Sequence, residues 1–443
     1  MQSLKLDDLP LKIKVILSNN LKRFPITDEG VKLHLLLRNE PATIANESKI
    51  ERIKRLKRVF HKPFSVDVSQ LDEMNVKRVY IEGSEDLKCF RENLHRHHLE
   101  NSAKRSSIVE VAETCEIQAL ESQLCSSSLV RTMSLNGDFL ILGSLNDSIE
   151  LIRLNEKSLK SHVKHFERNA FPNAIINLPN NNHFIVGQNN GEITVFSFDG
   201  SNESSLSQQF SSKIHSQRVN SLAINASKQC LLTTSHDETF KLLDVSLMKE
   251  VQTQHGHGCP VYCGEFNNIS SHLLATGDLR GIVKLWDNRI TRNIANIAAH
   301  VDQTLNLKWH PQIDWLLVSS GADGLVKFWD LRMLNQHLFK DAGDGYYYED
   351  NFTRYIKRSH SRSIRNLQFE PDYGRYLVSL DYAGKLTVTN PNFGHTIATE
   401  KFTTSLPNCF QLTNNSELFI STENNWLIKK KIIINTISRL NYD

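Results

Sequence analysis

His255, His257, Cys259 and Cys263 lie within nine residues, and two histidines with two cysteines are a common ligand set for structural zinc. His257 also belongs to a second pattern, because His215, His257, His300 and His360 recur along the chain, with Asp237 and Asp323 downstream of the first and third. An imidazole beside a carboxylate could act as a general base. That role needs a nucleophile or a substrate pocket, and nothing in the pattern specifies either. The structural alternative is a buried hydrogen-bond chain of Ser or Thr, His, Asp and Trp, in which a carboxylate that would be costly alone keeps its partner. Cys259, Val261 and Cys263 alternate, so on a strand they share one face, where a free cysteine acts as a small apolar residue. The structural readings are therefore adopted, and neither a metal nor a cofactor is expected.

These residues are positioned by a repeat. The heptamers GIVKLWD at 281–287 and GLVKFWD at 324–330 lie 43 residues apart, and each follows its histidine, His257 or His300, by 24 residues. A period of about 40–45 residues is that of WD repeats, each forming one four-stranded propeller blade. ETFKLLD at 238–244, GKLTVTN at 384–390, GEITVFS at 191–197, DSIELIR at 147–153 and NWLIKKK at 425–431 extend the array to seven units. The expected fold is mainly β, a seven-bladed WD-repeat β-propeller preceded by a small α-helical N-terminal region. The fifth unit keeps His300, Ser320, Asp323 and Trp329; the third keeps His215, Ser235 and Asp237, with Leu243 in place of Trp. The fourth has His257 and Trp286 but Arg280 at the Asp position, with Asp278 close by; the sixth has His360, Ala383 and Thr389. Closure is expected from a strand at 117–125 pairing with the last blade, which removes two exposed sheet edges.

Composition suits an intracellular scaffold. The 443 residues are 40% hydrophobic and 23% charged with a net charge of +3, enough for a large core and a second module. Seven scattered cysteines argue against a disulfide framework and for a reducing compartment. There is no long apolar run, and the N-terminus is too polar for a signal peptide. No phosphate-binding glycine loop or Gly-x-Ser-x-Gly elbow is present, so an enzyme is not expected.

From Asp28 to Phe60, apolar Val31, Leu35, Ile50, Ile53, Leu56 and Val59 recur at helical spacing around Pro41, which predicts a helical hairpin. The first 62 residues hold 14 Lys+Arg against 7 Asp+Glu, a charge that supplies sequence-independent phosphate affinity or simply solvates a helix face. The predicted organisation is a helical or flexible segment at 1–25, the hairpin at 26–62, a helical linker at 63–116, and the propeller at 117–443. An insertion at 335–357, with Tyr346, Tyr347 and Tyr348 among acidic residues, interrupts the array between the fifth and sixth blades.

Val31, Leu37-Arg38, Glu40-Pro41, Glu47, Glu51-Arg52 and Arg55-Leu56 follow the order and spacing of the short splicing-factor motif of spliceosomal proteins, with Ile44, Ala45 and Asn46 where that motif has Leu-Phe-Gly. Motif, intervening segment and C-terminal propeller together resemble the WD-repeat proteins of the U4/U6 small nuclear ribonucleoprotein, the pre-mRNA processing factor four family. The resemblance implies a nuclear, non-catalytic scaffold. It would bind a pre-mRNA processing factor three-like protein, stabilise the U4/U6 RNA particle, with or without direct RNA contact, and help it join U5 particle components. Glu40, Pro41, Glu47, Arg52, Arg55 and Leu56, with the tyrosine cluster at 346–348, are the candidate docking residues. A rival reading starts from Trp286-Asp287-Asn288-Arg289 and Trp329-Asp330-Leu331-Arg332, which match the WD-x-R box of substrate receptors of cullin-type ubiquitin ligases. A generic protein-interaction propeller is the third.

Overall fold

The computed structural model describes residues 108–440 apart from 125–128, 155–160, 167–169, 179–181, 199–205, 290–292, 333–345, 348–352 and 358–359. It also describes Leu35, Arg38, Glu40, Pro41, Arg52, Arg55, Leu56, Arg58 and Val59. Seven antiparallel sheets are arranged in sequence. Blade 1, for example, runs through Val130–Asn136, Phe139–Ser144, Ser148–Arg153 and Ser161–His165. The second strands, such as Leu273–Asp278 and Leu316–Gly321, are buried along their whole length because each sheet is covered on both sides by its neighbours. Leu232 and Phe240 of blade 3 pack with Leu274 and Trp286 of blade 4 in one buried cluster, and the Phe240 and Trp286 rings meet edge to face at 4.9 Å.

Closure takes the expected form. In blade 7 the strands Pro407–Leu412, Glu417–Thr422 and Trp426–Leu440 come from the C-terminal end, and Ile108–Leu124 supplies the outer strand. It pairs antiparallel with Trp426–Leu440 from Leu124↔Trp426 through Ile117↔Ile432 to Ile108↔Leu440. The strand begins nine residues before the expected boundary, so 108–116 is not the end of a helical linker. The β-branched residues Ile108, Val109 and Val111 in this stretch of the sequence favour strand over helix.

The insertion is also placed differently. Thr353–Lys357, expected within it, is the outer strand of blade 5, paired with Val326–Asp330. The extra chain therefore lies inside blade 5, between its third and fourth strands, and not between blades 5 and 6. Within it, Tyr346–Tyr347 adds a fifth, parallel strand to the edge of blade 4, through Asn296↔Tyr346 and Ile297↔Tyr347. Tyr348 lies outside the described residues.

The expected N-terminal helical region is not described as a complete element: only Leu35, Arg52, Arg55, Leu56, Arg58 and Val59 are described with helical geometry, and the expected segments 1–25 and 63–107, like Glu47, fall outside the described residues.

Candidate functional site

Four blades contain a buried hydrogen-bond chain, and blade 4 shows its logic most fully. Trp286 Nε1 donates to Thr276 Oγ1 at 2.7 Å, Thr276 Oγ1 is 2.6 Å from His257 Nε2, and His257 Nδ1 is 3.1 Å from Asp278 Oδ2. Indole can only donate, so the threonine accepts from Trp286 and gives its own proton to Nε2. The remaining imidazole proton then sits on Nδ1 and points at Asp278. Burial, reinforced by Lys284, pushes the imidazole down to about 4, so it is neutral at physiological pH. Burial also opposes ionisation of Asp278, but the hydrogen bond from His257, the Lys284 charge and the Ile282 N–H prevail and hold its carboxyl below the usual range. The other carboxylate oxygen, Oδ1, accepts the Arg280 and Ile282 backbone N–H groups at 2.9 and 3.0 Å and thereby fixes the turn.

Blade 5 repeats the arrangement. Trp329 Nε1 donates to Ser319 Oγ at 2.8 Å, Ser319 meets His300 Nε2 at 2.8 Å, and His300 Nδ1 is 3.0 Å from Asp323. The hydroxyl is Ser319 and not the expected Ser320. Adjacent strand residues face opposite sides of a sheet, and Ser320 instead accepts from Asn306 Nδ2 at 3.1 Å. In blade 3, His215 joins Asp237 at 2.9 Å and Thr233 at 2.8 Å. Ser235, expected in this role, lies at the strand end, where it donates to the Gln217 and Arg218 carbonyls. Burial works against the Asp237 charge, but His215 and Thr239 hold the carboxyl well below the usual range.

Blade 6 uses residues that the repeat pattern missed. His360 Nε2 is 2.7 Å from Ser379 Oγ, and its Nδ1 lies 3.2 Å from Asp381 Oδ2. Asp381 Oδ1 accepts the Ala383 and Lys385 N–H groups, as Asp278 does in blade 4. The carboxylate can thus come from the turn, as at Asp237 and Asp323, or from the strand end, as at Asp278 and Asp381. A legible signal existed: Asp278 and Asp381 each stand three residues before a turn glycine, Gly281 or Gly384.

The cysteines take the bland role. Cys259 and Cys263 are buried, and burial pushes the Cys259 thiol up to about 12 and Cys263 higher still. Among the described residues no group of three His, Cys, Asp or Glu side chains could hold a metal.

Blade 1 departs from the pattern at Glu150, which occupies the heptamer position of Lys284 and Lys327. It is buried, its Oε2 has no hydrogen-bond partner among the described residues, and desolvation raises it to about 7. The unfolded chain ionises this group near the ordinary value of 4.5, so the folded state is progressively disfavoured as pH rises from there to about 7. Glu150→Gln should leave stability unchanged near pH 4.5 and raise it by about 1–3 kcal/mol at pH 8. Urea unfolding across that range measures it, and a gain independent of pH would refute the titration as its cause.

Both WD-x-R arginines turn back on their own strands. Arg289 Nη2 pairs with Asp287 Oδ2 at 2.5 Å, and Arg332 pairs with Asp330 at 2.8 Å while lying over the Trp315 ring at 3.7 Å.

The N-terminal motif residues also correct an expectation. Arg52, read as part of a solvated basic face, is buried, as are Leu35, Arg38, Leu56 and Val59. Arg55 Nη1 donates to the Pro41 carbonyl at 2.7 Å, and the Glu40 N–H donates to the Leu35 carbonyl at 2.9 Å. Arginine can bury its aliphatic stem while its head finds a partner. Arg52 is thus enclosed, whereas half-buried Arg55 ties the second half of the motif to the first at Pro41.

With this geometry in place, comparison with known proteins adds a match of residues 206–244, 248–287 and 292–330 to the WD domain, G-beta repeat. Each match spans the outer strand of one blade and the three inner strands of the next, through blades 3, 4 and 5. The chain carries WD40 repeats. The chain is 26% identical over 231 residues to Pre-mRNA-processing factor 19 of Oryza sativa subsp. japonica, which covers 49% of this chain and 42% of that protein. It is 26% identical over 161 residues to WD repeat-containing protein 55 of Bos taurus, covering 36% and 41% respectively. The match thus spans about two-fifths of each relative's own length. In fold the chain is similar to the WD40 beta propeller domain of Doa1, with a TM-score of 0.59 at 15% identity, covering 71% of this chain and 97% of that one. The seven-bladed WD40 propeller is a fold suited to protein–protein interaction, since its loops emerge from a rigid disc.

Proposed function

We propose that the protein is a non-catalytic nuclear scaffold of the U4/U6 small nuclear ribonucleoprotein, docking a pre-mRNA processing factor three-like protein and helping the particle meet U5 components. The observation that carries this reading is the contact between the two halves of the N-terminal motif, Arg55 to the Pro41 carbonyl, with Leu35 and Leu56 buried beside it. A chance resemblance gives no reason for residues so spaced to close on one another. Glu40, Arg58 and the blade 5 insertion are then the candidates for presentation to partners, with Arg52 and Arg55 supporting them from within. The similarity to a pre-mRNA-processing factor supports the same direction.

The test is affinity purification of the full chain followed by RNA analysis. Co-enrichment of U4 and U6 RNA, lost in Arg55→Ala while the propeller's thermal transition is retained, is the expected result. Recovery of a cullin adaptor without RNA would overturn it in favour of the ligase-receptor reading, against which the self-paired Arg289 and Arg332 already weigh.

A further inference from the structure

The inner strands of all seven blades surround a channel of about 780 Å³, and its two ends differ in charge. Where the inner strands begin, three arginines line the wall: Arg131 from blade 1, Arg218 from blade 3 and Arg365 from blade 6. Among the described residues none of the three is in an ion pair with a carboxylate. Aromatic faces flank them, with Arg218 over Tyr262 at 5.9 Å, Arg365 over Tyr382 at 4.6 Å and Arg131 over Phe171 at 5.7 Å, and neutral groups accept from two of them, His236 Nδ1 from Arg218 at 3.3 Å and the Pro407 carbonyl from Arg365 at 3.4 Å. Asn408 Oδ1 accepts from Arg365 Nη1 at 2.9 Å, which leaves the rest of that guanidinium fork uncommitted to it. Enclosure in the channel and the charges of Arg218 and Arg365 both push Arg131 below its ordinary value, although the residue as a whole is exposed. Toward the strands' far ends, by contrast, Lys308 is neutralised by Glu265 at 2.7 Å.

Three like charges held together without a counter-charge disfavour the empty state and favour an anion that reaches all three. We infer that this channel mouth is a binding site for an anionic side chain, carboxylate or phosphorylated, presented by a peptide segment of a partner protein. The rim on this face is mixed in charge, with exposed Asp302 beside exposed Arg280 and Arg362, so it does not form the continuous basic track that a nucleic-acid backbone requires. Aliphatic Val301, 90% exposed, and Leu145 lie on that face too, beside exposed Tyr382, and offer contacts to the residues flanking the anion. The inference stands on the channel alone and does not require the splicing reading.

The experiment uses the full chain and short fluorescent peptides carrying phosphoserine, glutamate or serine between leucine and valine, with single-stranded RNA as a separate probe. Phosphoserine or glutamate should bind at least about tenfold more tightly than serine, and Arg131→Gln should remove most of that difference. Arg131 makes no hydrogen bond to the described residues, so this change removes the charge at the loss only of its contact with the Phe171 ring; an unchanged thermal transition verifies that the fold is kept. Arg289→Gln, on the outer rim, should bind as the wild type does. A stronger response to phosphoserine than to glutamate identifies a modified partner, and equal responses an acidic one. Equal binding of all three peptides, unaltered binding in Arg131→Gln, or binding of RNA with none of peptide would each overturn the inference.

Discussion

Asp278→Ala should destabilise the protein by about 3–5 kcal/mol. Both partners are inaccessible, with side-chain exposures of 0% for His257 and 1% for Asp278, so no water replaces the lost acceptor for the Nδ1 proton. The Arg280 and Ile282 N–H groups lose their acceptor in the same step. Asp323→Ala should cost about 1–3 kcal/mol, because its side chain retains 13% exposure and solvent can substitute in part. Asp287→Ala removes only a pair with the exposed Arg289 and should cost roughly 0.5 kcal/mol. Denaturant unfolding of the three variants gives the order directly. Equal losses at Asp278 and Asp287 would contradict the buried chain.

Gly281→Ala should cost more than about 3 kcal/mol, whereas Gly137→Ala should cost only about 1 kcal/mol. Both glycines have positive φ, +78° and +58°, so both substitutions carry the left-handed penalty. They differ in what a methyl group meets. At Gly281 it would lie far inside contact distance of the His300 and Asp302 carbonyl oxygens, whereas nothing lies within 4 Å of it at Gly137. The Gly281 carbonyl also accepts the Ala299 and His300 N–H groups, so the backbone at this blade junction cannot retreat without breaking bonds. A melting temperature for Gly281→Ala close to that of Gly137→Ala would show that the junction yields more than this geometry allows.

The sequence by itself determined the propeller and its closure. A 43-residue period with alternating apolar strands can bury both faces of each sheet only by stacking, and a closed ring needs a strand from before the first blade. It also placed His215, His257, His300 and His360 at equivalent positions, because the repeat gives each the same loop. The hydroxyl and carboxylate partners were less legible. Ser319 or Ser320, and Thr233 or Ser235, differ by the face or depth of a strand, and sequence spacing alone does not settle a one-residue register. Asp278 and Asp381 were hidden because carboxylates at two backbone positions can deliver an oxygen to the same Nδ1 proton and cap the same turn. Only the tertiary structure decided three further matters: the insertion's place inside blade 5, the burial of Arg52, and the meeting of Arg131, Arg218 and Arg365 around one channel. Those arginines are about 87 and 147 residues apart in the chain, and no local pattern relates them. Ring closure brings them together, and the lack of an ion-paired carboxylate among the described residues gives that meeting its charge.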